Sequence, residues 1–386
     1  MGYSVVRGGA EAMQAAEEML DFVRLGGLDR GDAEAAPPTS EVIDMMLRSQ
    51  RSAVDRVMAE AGFYAPRLAA TALVQAEGDA IEASFILRSL RASLPRIEPA
   101  LPVEVAKMRV LRRISSAFKE VPGGQYLGPT RDYTLRFLRR ALEDELPAAR
   151  LSEVIAALGG DDGALPEMPR VVEMLREMGL ISQPPEPPEE EPVDITMQPL
   201  RFPRPPRSAR LQALARGETG MLNGLAYSSL RGYGHVHPTL GELRVGAVPV
   251  RVKHPQWDVP VDIGEVTLTL CDGIISGVAM ITATGDEDIR LDLGFGASFG
   301  QQEARAISMA ILDGCLAVGT SDGPADDMEF VLYHIDGIES LGFVEHLKQP
   351  HYMLFASVMD RLAGANARRA EARDAESRAN TGEMAE

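Results

Sequence analysis

The chain is short of the residues that most often announce chemistry. Of 386 residues only two are cysteine, Cys271 and Cys315. They lie far apart and in no metal or redox spacing, which excludes a disulfide framework and fits a reduced, cytoplasmic protein. Histidine is scarce as well, with six in the whole chain. No run approaches the ~18 consecutive apolar residues that a membrane span requires. The opening MGYSVVRGGAEAMQAAEEML has no long apolar core of a secretory signal, and Val6 stands where a myristoylation signal wants Ser or Thr. There is no GxxxxGK[ST], no GxSxG, no HExxH, no GxGxxG after a strand and no CxxxCxxC. The sequence patterns therefore offer no P-loop, hydrolase elbow, zincin helix, dinucleotide fingerprint or iron-sulfur radical centre. Basic residues are outnumbered, 39 against 57 acidic ones, for a formal charge of -18. Such a surface repels nucleic acid and anionic membranes, so any anion must be held by a local arginine cluster.

What is present reads as an α+β protein of two domains. Apolar residues recur at helical spacing in VIDMMLRSQRSAVDRVMAEAG and IEASFILRSLRASL, with Thr39 or Ser40 as an N-cap and Gly62 as a stop. Further helices are expected through VAKMRVLRRISSAFKEV, ending at Pro122, Gly123 and Gly124, and through TRDYTLRFLRRALEDEL. These make residues 1–182 a mainly helical domain. Proline then crowds QPPEPPEEEPVDITMQPLRFPRPPR, so residues 183–207 read as an extended linker or strap. Residues 208–362 look mixed α/β. LRVGAVPVRVK, VPVDIGEVTLTLCDGIISGVAMITAT and FVLYHIDGI are strand-like, and EARAISMAILDGCLA is helical. Residues 363–386 carry almost no large apolar side chain and read as a solvated helix fraying into disorder.

Four features carry candidate chemistry. In EHLKQPHYMLF, His346 and His351 are five residues apart. A continuous helix would turn their side chains about 140° from each other. Pro350 disfavours helix at Gln349 and invites a turn that folds one imidazole toward the other, as in H-x4-H zinc pairs. Two imidazoles make half a tetrahedral shell, and a pair of amphipathic interface histidines is the plainer alternative. A second pair, His235 and His237, would share one side of a strand, although the adjacent glycines and Pro238 favour a tight loop. GGQYLGPT, residues 123–130, follows Arg112 and Arg113 and is placed to wrap backbone amides around an anion, or simply to turn the chain. RFPRPPRSARLQALARG gathers Arg201, Arg204, Arg207 and Arg210, whose planar forks match phosphate oxygens, or which are solvated linker.

Several long segments, in order, sharpen this reading: YSVVRGGAEAM, RRISSAFKEVPGGQYLGPTRDYT, SARLQALARGETG, LAYSSLRGYG and EFVLYHIDGIESLGFVEHLKQPHY. From residue 3 to about 360 the chain resembles the I subunit of the bacterial carbon-phosphorus lyase system. The resemblance implies a transferase that, with G, H and L subunits, displaces adenine from MgATP, or the base from GTP, with an alkylphosphonate. The product would be ribose 1-methylphosphonate 5-triphosphate, and the isolated subunit would act as a nucleosidase. It further implies a core complex with G, H and J subunits and association with K and L ATPase-like subunits. In such a complex zinc sits on the residues matching His346 and His351, at the boundary with J. The family has a counterpart of His237 but none of His235.

Departure of a purine from an anomeric carbon passes through an oxocarbenium-like state, which needs an acid for the leaving base and cations for the phosphates. Acid candidates in family-like motifs are Asp132, Glu242, Glu265 and Asp336. Candidate phosphate contacts are Arg112, Arg113, Arg207, Arg210 and Arg231, with Gly123, Gly124 and Gln125 shaping the pocket. Two alternatives remain: a non-catalytic scaffold that lends metal ligands to a partner's site, and a metal-linked nucleotide sensor.

Overall fold

The computed structural model describes residues 9–24, 38–158, 168–181, 192–231, 238–275, 290–318, 323–348 and 351–383. Within them the chain forms two compact units, Met1–Gly337 and Ile338–Glu386.

The first unit opens with α1 (Ala10–Arg24) and a helical cluster: α2 (Thr39–Ser49), α3 (Arg51–Ala61), α4 (Pro66–Gln75) and α5 (Ala80–Ser93). The predicted first long helix is thus two, broken at Gln50 and begun from Pro38 rather than capped by a hydroxyl. Gly62 ends α3 as expected, in the left-handed region at φ 65°. Asp79 caps α5, its Oδ1 accepting from the amides of Ile81 and Glu82 at 2.8 and 3.2 Å. Val54, Val57, Met58 and Ala61 of α3 meet Ala69, Ala70 and Leu73 of α4 and Ala83 and Leu87 of α5. Small residues at three- and four-residue spacing let these helices pack closely.

The sheet is antiparallel in the order β1 (Arg109–Ile114), β2 (Pro238–Lys253), β3 (Pro260–Ile275), β4 (Asp292–Phe299). β1 lies before the proline strap and β2 after it, so the two halves of the sequence close one sheet. Helix α10 (Glu303–Val318) covers one face, where Leu243 and Cys271 pack on Ala306 and Ala310. It lies almost on the backbone of β4. A Cβ at Gly294 would stand 1.8 Å from the Ala310 carbonyl, and one at Gly296 1.9 Å from that of Ala306. By strand alternation Glu242, Arg244 and Asp272 face the other way, and Arg113 opposes Arg244 across the β1–β2 pair. The region beside α7 (Val171–Glu177) lies over that face, with the Pro169 carbonyl and the Val171 amide bonded to it.

Three expectations are corrected. VAKMRVLRRISSAFKEV is not a helix: after a short 3-10 turn at Val105–Lys107 it becomes β1, because pairing with β2 outweighs the local preference of its Leu, Arg and Met residues. TRDYTLRFLRRALEDEL is mostly irregular, with one 3-10 turn at Arg140–Leu142. Leu135, Phe137 and Leu138 are 74–89% exposed, and an amphipathic stripe with nothing to pack on gains little from being helical. FVLYHIDGI is not a strand. It forms α11 (Met328–His334), capped by Asp327, whose Oδ1 accepts from the Phe330 amide at 2.9 Å, and buries Val331 and Leu332. A short apolar run does not by itself distinguish strand from helix.

Helices α8 (Arg207–Arg216) and α9 (Thr219–Arg231) and α10 share a second core with Leu214, Leu222, Leu312 and Val331. The described part of the strap packs there through Ile195, Leu200 and Phe202. α6 (Pro147–Leu158) is largely exposed. α12 (Gly337–Glu345) reaches from the end of the first unit into the second, which continues through a 3-10 turn at His346–Lys348 into α13 (Tyr352–Glu383). The polar segment from residue 363 to 383 continues this helix. Among the described residues no helix is long and apolar enough to cross a membrane.

Candidate functional site

In the second unit the rings of His346 and His351 lie with centres 5.4 Å apart and planes at 68°. Two imidazoles bound through nitrogen at about 2.0–2.1 Å to one tetrahedral cation hold their ring centres about 5 Å apart, so this separation fits a shared metal. His346 Nδ1 donates to the Phe343 carbonyl, one turn earlier in the chain. That bond places the proton on Nδ1 and leaves Nε2 as the lone-pair nitrogen, the outer arrangement that orients metal-bound histidines. His351 is fixed from the other side, because its carbonyl accepts the amide of Phe355 at 2.9 Å and starts α13. Gln349 and Pro350, the expected bend, lie outside the described residues, as do His235 and His237. Among the described residues no three His, Cys, Asp or Glu side chains gather as a metal cage. The surroundings are apolar and open: Phe343, Leu347, Tyr352, Met353, Leu354 and Phe355 are all 63–80% exposed.

In the first unit Arg112 and Arg113 are fully buried on β1. The glycine loop folds around them with its carbonyls, not its amides, turned inward. Arg113 Nη1 donates to Pro122 O at 2.6 Å and Gly124 O at 3.0 Å, and its Nη2 donates to Pro169 O at 2.7 Å. Arg112 Nη1 donates to Leu127 O at 2.5 Å. Gly123 and Gly124 turn the chain at φ 80° and 79°. Gln125 ties the loop shut: its Oε1 accepts from the Ser115 amide at 3.0 Å and its Nε2 donates to the carbonyls of Phe118 and Lys119. Gly128 is pressed so close that a Cβ would lie 2.2 Å from Leu111 O. The expected anion cradle is therefore a cage of carbonyls for guanidinium groups, because each buried Arg must place five N–H donors.

The four acid candidates do not converge. Glu242 is buried, with Oε1 accepting from Arg113 Nε at 2.5 Å and Oε2 from the Val171 amide at 3.2 Å. Arg244 Nε stands 2.9 Å from the same Oε1 at an angle that makes a charge contact and not a hydrogen bond. Asp132 accepts from Arg112 at 2.5 Å and from Arg136 at 3.3 Å. Glu265 accepts from Arg109 at the surface, and Asp336 from Arg88 at 2.7 Å. Of the other arginines, Arg207 at the start of α8 pairs with Asp313 at 2.6 Å. Arg210 is half-buried one turn later. Arg231 lies 5.8 Å over the Tyr227 ring.

Sequence patterns missed two features. One is a cleft of about 510 Å³ lined by Arg91, Arg96, Arg216, Asp194 and Thr196 on one hand and by Leu268, Ala297 and Phe299 on the other. Arg91 and Arg96 lie five residues apart, at and just past the end of α5, and Arg216 comes from the end of α8, more than 100 residues later, so no local spacing could have joined it to them. The other is Asp55 of α3, buried, with Oδ2 accepting from the Gln301 amide at 2.9 Å. Burial raises its carboxyl above the ordinary range, against the pull of that amide and of Arg51. A lone buried Asp inside a helical pattern was the available signal.

Comparison with known proteins decides the family. The family described as bacterial phosphonate metabolism protein (PhnI) matches residues 2–369. The chain belongs to the PhnI family. This PhnI-family chain is 45% identical over 94% of its length, and 95% of the relative's, to a putative C-P lyase subunit protein HtxH of Stutzerimonas stutzeri. It is 41% identical, over 93% of both chains, to the alpha-D-ribose 1-methylphosphonate 5-triphosphate synthase subunit PhnI of Rhizobium meliloti (strain 1021). It is 38% identical to the protein of the same description from Escherichia coli (strain K12), over 93% of this chain and 97% of that one. The matched range holds the histidine pair, the caged arginines and the cleft. The end of α13 beyond residue 369 falls outside it.

Proposed function

We propose that this PhnI-family chain is the I subunit of a carbon-phosphorus lyase assembly. In this reading it works with G, H and L subunits to displace adenine from MgATP, or the base from GTP, with an alkylphosphonate. Ribose 1-methylphosphonate 5-triphosphate is the product, and the chain releases base to water when alone. The partners are G, H and J subunits in a cytoplasmic core complex, with K and L ATPase-like subunits. The observation that carries the reading is the match of nearly the whole chain to proteins described as subunits of that synthase.

His346 and His351 fit a zinc ion, and the metal when bound would supply Lewis acidity or fix an interface. The chain's own part is to hold two neutral imidazoles at that spacing, with the Phe343 carbonyl setting the tautomer of His346. The exposed apolar residues around the pair suit a partner surface that completes the shell. For proton transfer to the leaving base, a carboxyl that burial keeps protonated more readily is the better donor, which favours Asp55 over the four carboxylates that accept from arginine.

Those same arginine bonds favour a second reading, a scaffold that lends metal ligands to a partner's site. Purified chain incubated with MgATP separates the two. Adenine release above buffer supports the transferase, whereas no release by folded chain, either alone or with G, H and L subunits, leaves the scaffold. For the metal, His346→Ala and His351→Ala should each lower the zinc content of the assembled complex without dissociating it. Zinc binding should also weaken as pH falls and the imidazoles protonate. Equal zinc in wild type and both variants would remove the site.

A further inference from the structure

Among the described residues of the first unit, two amphipathic segments leave an apolar stripe open. α1 carries Met13, Ala16, Leu20 and Val23 at three- and four-residue spacing, which puts them on one side of the helix. No residue from Ala10 to Val23 is buried, and Met13, Leu20 and Val23 are each more than half exposed. The same stretch holds Glu11, Glu17, Glu18 and Asp21 and no basic residue. The second segment is residues 131–146. Its root is fixed, because Asp132 accepts from Arg112 at 2.5 Å and Gln301 Nε2 donates to Pro129 O at 3.2 Å. Beyond the root Leu135, Leu138, Leu142 and Leu146 keep helical spacing, and each is more than half exposed. Arg131, Arg136, Arg139 and Arg140 accompany the first of these leucines, with Asp132 as the one carboxylate from 131 to 140. Arg136 and Arg139 make long, partly exposed pairs, 3.3 Å to Asp132 and 3.4 Å to Glu145. The two segments are thus opposite in charge and alike in having an apolar stripe to cover.

We infer that α1 of one copy of this chain docks on residues 131–146 of a second copy, and the reverse, around a two-fold axis. Charge chooses the occupant. With a formal charge of -18, two copies repel over most of their surfaces, so the cationic run from 131 to 140 is where an acidic helix of the other copy can approach. Apolar patterning agrees, because an amphipathic helix laid along the leucines gives residues 131–146 the packing surface whose lack leaves them irregular. Size agrees as well: α1 holds 15 residues and the second segment about as many, and a stable interface takes about 20–30 residues from each side. A two-fold contact is self-complementary, so each copy gives a helix and receives one. One copy leaves both stripes open, and two copies close both at once. The inference is independent of the reaction proposed above and of the histidine pair.

The test is analytical ultracentrifugation of the full chain and of two charge-reversed variants, Glu17→Arg with Asp21→Arg on α1 and Arg136→Glu with Arg140→Glu on the other segment. All four residues are exposed, and circular dichroism checks that both variants fold. Wild type should sediment as a dimer at micromolar protein. Each variant alone should dissociate at least about tenfold more readily, since reversal turns attraction into repulsion at both symmetric contacts. An equimolar mixture of the two variants should recover the wild-type dimer. Across the axis each reversed helix then meets a reversed segment, and each unreversed helix an unreversed one. A monomeric wild type, a dimer indifferent to both reversals, or a mixture no tighter than either variant overturns the assignment. Docking of α1 within its own chain would give the first of these results, and a dimer interface elsewhere on the surface the second.

Discussion

Two groups of arginines in the first unit show opposite uses of one side chain. On the sheet, Arg112, Arg113 and Arg244 are buried and bond carbonyls and carboxylates of the same chain, with the Nε of Arg112 and Arg244 in charge contact only. At the cleft, Arg91 and Arg96 line open space, Arg91 bonded to the Gly62 carbonyl and Arg96 to Asp194 and Thr196. The sheet group is in effect a structural cation layer. It pins the loop at residues 123–130 and the segment before α7 to the strands, where a hydrophobic layer would leave those carbonyls unpaired. The cleft pair stays half-buried or exposed. A guanidinium that holds structure is recognised by the buried carbonyls and carboxylates it joins, and one at a surface by the solvent it keeps.

The contrast predicts effects of very different size. The largest is at Arg113. Arg113→Met leaves Glu242 buried beside Arg244 without its closest partner and strips three carbonyls of a donor, so urea denaturation should show a loss of about 3–5 kcal/mol. Adding Glu242→Leu should recover a substantial part of it. A loss below about 1 kcal/mol would mean that the sheet group is dispensable and would erase the contrast.

A smaller effect is expected at Asp55, a buried carboxyl held by a backbone amide and not by a guanidinium. Because its pKa is raised, the folded state binds the proton more tightly than the unfolded one. Wild type therefore loses stability from this group as pH rises from the ordinary value of 3.8 through the folded one. Asp55→Asn has no charge to bury and still accepts from Gln301. Its melting temperature should gain on wild type between pH 3 and pH 7, and a gap that is constant with pH would contradict the burial argument.

The smallest effect is at the cleft rim. Hydrogen bonds from Arg96 and then Thr196 lower the Asp194 pKa to about 2. Its stabilisation is complete above pH 4 and lost between pH 4 and pH 2. With side chains 61% and 37% exposed, the pair contributes under about 1 kcal/mol. Arg96→Gln should flatten that acid limb and change neutral stability little.

Some of this was legible in the one-dimensional pattern. The helices α3, α5 and α10, the strands β2 and β3 and the stop at Gly62 follow from periodicity and glycine, because each buries a regular stripe or a regular alternation. β1 and the irregular segment from 130 to 146 were not legible. The first depends on a partner strand more than 120 residues away, and the second on the lack of any surface to pack against. At the candidate sites, two histidines around a proline were visible as a pair. The fate of Arg112 and Arg113 beside Gly123, Gly124 and Gln125 was not, since spacing cannot say whether a loop turns its amides or its carbonyls inward.

The order of residues alone determined the family, the helical and strand-forming stretches that satisfy their own periodicity, and the two imidazoles close enough in sequence to meet. Tertiary structure decided everything that depends on who stands opposite. It made Arg113 a buried clamp and left Arg91 at the edge of a cleft, and it brought Arg216 of α8 to the cleft that Arg91 and Arg96 line. The reason is that hydrogen bonding and charge act over a few ångströms, and distances that short between remote residues exist only once the chain has folded.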